Sequence, residues 1–92
     1  MKGKDIKEFL ETLSWGVEME FIYKDEHFFI QGVNNGENGK EIQLFSCDRP
    51  GPLLYSLKCN SFQDGVLQFQ KDIILDGKTI YELNDDITVI YG

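Results

Sequence analysis

His27 is the only histidine in the chain, so any mechanism that moves a proton through an imidazole near neutral pH must pass through it. Asp25, Glu26 and Cys47 are its conceivable partners. A Cys47–His27 dyad would supply a nucleophilic thiolate if the strands carrying the two residues were neighbours, but no helix N-terminus stands nearby to lower the thiol pKa. The plainer reading is an exposed strand histidine and a packing cysteine. Asp85 with Asp86, and Glu18 with Glu20, have the chemistry to hold a hard cation or to divide acid and base roles in glycoside hydrolysis. The aspartates, however, suit a turn, where they bond local backbone, and the glutamates alternate along a strand toward solvent. The chain lacks a P-loop, a dinucleotide fingerprint, a Gly-x-Ser-x-Gly elbow and an EF-hand loop, and Cys47 and Cys59 do not have metal-site spacing. No catalytic, cofactor-binding or metal-ligating residue is assigned, and the expectation is a protein that is not an enzyme.

The elements that must position these side chains are legible from periodicity. Ile6, Phe9, Leu10 and Leu13 share one helical stripe, with Asp5 and Glu8 resembling a capping box and Gly16 suited to the left-handed position after the last turn. Val17, Met19, Phe21 and Tyr23 alternate with polar neighbours, and after Lys24-Asp25-Glu26 comes the aromatic and β-branched run from His27 to Val33, so a hairpin is predicted. Residues 34–39 form a loop, and a third strand runs from Ile42 to about Cys47. Asp48-Arg49-Pro50-Gly51-Pro52 must leave the ladder, because proline lacks the N–H. Leu53 to Cys59 could be a fourth strand. Ser61 opens a second helix carrying Phe62, Val66 and Phe69, in which Gly65 costs about 1 kcal/mol relative to alanine. Ile73 to Tyr81 reads as a hairpin around Asp76-Gly77, in competition with a single helical turn over Thr79 to Leu83. Ile87 to Tyr91 is a last strand. The expected fold is a single α+β domain over 1–92, a two-layer sandwich in which an antiparallel sheet of about five strands carries two helices on one face.

Charge and composition narrow the function. With 16 acidic and 9 basic side chains the net charge is −7, so nucleic acid and anionic membranes are poor partners and a basic protein is a good one. Solubility alone would also account for the charge. At 41% hydrophobic and 13% aromatic the chain is globular, and it has neither a membrane-length apolar run nor a signal-peptide core, so a cytoplasmic location with both cysteines reduced and in or near the core is expected. Phe28 and Phe29 are consecutive, so at least one ring in this chain lies on the second sheet face.

Phe9-Leu10 through Gly16, Glu18-Met19-Glu20-Phe21, Phe29-Ile30-Gln31-Gly32 and Asp76 through Leu83 resemble small uncharacterised bacterial proteins, some of which resemble immunity proteins of contact-dependent or polymorphic toxin systems. The resemblance implies an acidic cytoplasmic protein that binds and neutralises a cognate toxin domain, without assigning contacts; from the charge, a basic active-site cleft such as a nuclease's is the surface expected to be covered. From the residues themselves the candidate partner-binding set is Glu18, Glu20, Asp25 and Glu26, with Tyr23 or Phe28 as an aromatic anchor. The free protein is expected to be a monomer or a homodimer, and the alternatives are a self-associating scaffold whose sheet pairs across a two-fold axis and a small enzyme using Cys47 and His27.

Overall fold

Asp5 starts the first helix: its carboxylate accepts the Glu8 N–H at 2.8 Å, a bond that also holds the Asp5 carboxyl below the usual aspartate value. The structure, a computed structural model, describes residues 1–47 and 53–92, so the expected Pro50 loop lies outside the described residues. Helix α1 (Ile6–Ser14) is followed by β1 (Met19–Tyr23), β2 (Glu26–Asn34), β3 (Lys40–Ser46), β4 (Leu53–Cys59), α2 (Phe62–Phe69), α3 (Ile80–Leu83) and β5 (Ile87–Tyr91). Short 3₁₀ turns occupy Gly36–Asn38 and Asn84–Asp86.

The strands form one antiparallel sheet in the order β4-β3-β2-β1-β5. Strands β1 and β2 are joined by Lys24 and Asp25 alone, both at positive φ (49° and 63°), the pattern of the two-residue hairpin turn that matches strand twist. This pairs Phe21 with Phe28 and Met19 with Ile30. Strand β3 extends the meander, setting Phe29 opposite Phe45 and Gln31 opposite Gln43.

All three helices cover the same sheet face. Phe9 and Leu13 of α1, Phe69 of α2, and Ile80 and Leu83 of α3 are fully buried against Met19, Phe21, Ile30, Ile42, Leu44 and Ile87. Each such side chain contributes about 1.5–3 kcal/mol by leaving water. Phe21 stacks on Phe28 with ring centroids 5.5 Å apart, and the edge of Phe9 meets Phe21 at 6.2 Å. The layers close where glycines admit them. A Cβ on Gly32 would lie 2.6 Å from the Gly16 Cα and 2.7 Å from the Phe62 ring, and one on Gly65 would lie 2.7 Å from the Cys59 sulfur. The helical cost of Gly65 thus allows α2 to sit tightly on the sheet.

The expected second hairpin is only a bridge. Asp76 and Gly77 do turn at positive φ (55° and 69°) and Leu75 pairs with Lys78, but the chain then enters α3 instead of a strand. The capping box decides the outcome: the Thr79 hydroxyl accepts the Glu82 N–H at 3.4 Å while the Glu82 carboxylate accepts the Thr79 N–H at 3.0 Å. Ile80 and Leu83, three apart, then reach the core together.

The two sheet edges differ. Along β5, Lys2 donates its N–H to the Ile87 carbonyl at 2.9 Å and accepts the Val89 N–H at 2.8 Å, so the N-terminal residues occupy that edge. Among the described residues nothing pairs with the outer edge of β4.

Candidate binding surface

Because strand side chains alternate, the register that sends Phe28, Ile30, Ile42 and Leu44 to the core sends Phe29, Gln31, Gln43 and Phe45 to the other face. Among the described residues no helix lies over that face. Phe29 and Phe45, directly opposed, form its half-buried centre, continued by Ile22 on β1 and by Leu54 (42% exposed) and Ile90 (47% exposed) toward the edges. Polar groups are interleaved: Gln31 Nε2 donates to Gln43 Oε1 at 3.1 Å, and His27 Nδ1 lies 3.2 Å from Glu20 Oε1. Glu41 stands opposite Lys58 farther along.

A second feature lies on the core side, under the β1–β2 turn. Tyr23, Phe28 and Leu75 wall a pocket of about 300 Å³, with Lys24, Glu26 and Asp76 completing its lining. Asp76 is the hub. Its Oδ2 accepts the Tyr23 hydroxyl at 2.7 Å and the Lys24 ammonium at 3.0 Å, and that ammonium also lies 5.4 Å from the centre of the Tyr23 ring. The Tyr23 bond first, and Lys24 second, hold the Asp76 carboxyl below its ordinary value, and Asp76 in turn raises the Lys24 pKa. Both charged groups are well exposed, so the arrangement ties two turns together more than it stores energy.

Three of the six expected contact residues, Tyr23, Glu26 and Phe28, therefore meet at this pocket, with Asp25 in the adjoining turn. Glu20 projects from the opposite face, and Glu18 is exposed just before β1. Tyr23 and Phe28 are each only 3% exposed, because both fall on the core-facing parity of their strands. The phenylalanines on the face without a helix are instead Phe29 and Phe45, both half-buried. Gln31 and Val33 share the parity of Phe29, whereas Ile30 shares that of Phe28, and this was the signal that could have separated them.

The remaining chemical candidates are Asp85 with Asp86, and Cys47 with His27. Asp85 and Asp86 are exposed in the second 3₁₀ turn, and among the described residues no group of three or more His, Cys, Asp and Glu side chains could hold a metal ion. The Cys47 N–H donates to the His27 carbonyl at 2.9 Å, so β2 and β3 do bring those residues side by side. Cys47 is exposed and not a core residue as expected, because it lies just past the end of β3. Cys59 is partly buried, its Sγ 3.7 Å from the Lys40 carbonyl, and burial pushes its thiol pKa up. No helix among the described residues is long and apolar enough to cross a membrane.

No family model matches the chain, and neither does any curated protein or solved structure.

Proposed function

We propose that this protein is a non-catalytic binding module that neutralises a basic protein partner in the cytoplasm, in the manner of an immunity protein acting on a toxin domain. The observation that carries the reading is the Phe29–Phe45 pair on a sheet face that no helix among the described residues covers. An aromatic centre is where interface energy concentrates, and carboxylates around it steer a cationic partner into place. Glu20 and Glu41 lie on that side with Glu18 exposed just before β1, and the net charge of −7 favours encounter with a basic surface. The partner's basic cleft, as in a nuclease, would be covered stoichiometrically.

The test is co-purification with the product of the adjacent open reading frame, followed by calorimetric titration. Phe29→Ser and Glu20→Lys should each weaken the complex by about tenfold or more while leaving the fold intact. A pair of proteins that does not associate at micromolar concentration removes the reading.

A further inference from the structure

We propose that the outer edge of β4 is a self-association seam, at which a second copy of this chain adds its own β4 antiparallel and extends the sheet. Edge strands present unpaired backbone N–H and C=O groups, and proteins commonly cover or charge such edges. Lys2 occupies the β5 edge, while nothing among the described residues occupies β4, whose edge is guarded only by Lys58 and the register shift at Leu54.

Charge selects the occupant. On a molecule of net charge −7, most surfaces repel a second copy, but β4 reads Leu53-Leu54-Tyr55-Ser56-Leu57-Lys58-Cys59, with Lys58 its single charged side chain and Glu41 of β3 opposite that lysine. The sequence of the strand is also self-complementary. Centred on Ser56 and reaching Leu54, the extra residue where the β3–β4 register shifts, the antiparallel pairing sets Ser56 against its own copy, Tyr55 against Leu57 and Leu54 against the aliphatic stem of Lys58, and no like charges face each other. Leu53 and Leu54, 43% and 42% exposed, lose water in the process. The two-fold axis runs perpendicular to the sheet, so both copies keep the Phe29–Phe45 face open on the same side.

Sedimentation equilibrium tests this directly. The mass should rise from 10.6 kDa toward twice that value between micromolar and millimolar concentration. Ser56→Lys sets a lysine against its own copy and should weaken association by about fivefold or more, while Val17→Lys, which adds the same charge at an exposed site away from β4, should not. Should Ser56→Lys fail to fold, Leu54→Lys, which would face Lys58 of the other copy, takes its place. A monomer throughout overturns the proposal, as does a dimer indifferent to both β4 substitutions. So does a monomer whose β4 edge instead takes up an extended segment of another protein.

Discussion

The Tyr23 hydroxyl donates to the Asp76 carboxylate across 2.7 Å, joining residues 53 positions apart. Through this one bond the tight turn of the first hairpin is anchored to the turn that precedes α3, and the Lys24 ammonium adds a second link to the same oxygen. Tyr23→Phe keeps the buried ring and deletes only the hydroxyl, so it should lower the melting temperature more than Lys24→Met, whose ammonium is solvated. Equal effects in a thermal melt would show that the hydroxyl bond does no more than the exposed ion pair.

Asp76 also makes stability depend on pH in a stated direction. Its folded-state pKa lies below the ordinary 3.8, so its stabilisation is present above that value and is lost as pH falls through the lower folded value. Asp76→Asn preserves the positive φ, which asparagine tolerates. The gap in melting temperature between wild type and Asp76→Asn should be constant near neutrality and close as pH drops below about 3.8. A gap that persists at the lowest pH would assign the difference to something other than the carboxylate charge.

Phe28 and Phe29 are neighbours in sequence with opposite surroundings. Phe28→Ala empties a core site stacked on Phe21 and should cost about 3–5 kcal/mol. Phe29→Ala removes one half of a cross-strand pair on the open face and should cost about 1 kcal/mol or less. Urea denaturation of the two variants decides the register: comparable losses would mean that both rings are enclosed.

Gly65→Ala reverses the usual helix rule. Propensity alone favours alanine by about 1 kcal/mol, but the new methyl would meet the Cys59 sulfur at 2.7 Å and the end of Ile42 at 3.0 Å. The expected outcome is a net loss of about 1–3 kcal/mol, partly recovered when Cys59→Ala is added. A stabilised single variant would show that α2 can ride outward without penalty.

How far the chain could be read in advance follows from which interactions are local. Helix α1 was legible because Asp5, the Ile6-to-Leu13 stripe and Gly16 all act within three turns. The meander of β1, β2 and β3 was legible from alternation and from polar breaks. The parity of the second hairpin strand was harder, since consecutive phenylalanines satisfy either face and only their neighbours, Ile30 on the parity of Phe28 and Gln31 on that of Phe29, choose between them. The segment after Asp76-Gly77 exposed a conflict between two local signals, a turn that favours a hairpin and a Thr79–Glu82 box that favours a helix. The box won because Ile80 and Leu83 both reach the core when helical. The candidate surface was half legible: Glu18 is exposed beside the open face and Glu20 half-buried on it, while Tyr23 and Phe28 were placed on a surface they do not share, an error of one strand position that exchanges inside for outside.

The position of β5 beside β1 has a kinetic meaning. Strands β2, β3 and β4 and helices α2 and α3 all intervene in sequence, so this contact closes the longest loop between two strands of the sheet, and closure entropy must be met before burial rewards it. The first hairpin and α1 can assemble from near neighbours, but Phe21 and Tyr23 stay open along one side until residues 87–91 dock. Refolding is then expected to be limited by that docking step, with the β1 flank open until it occurs.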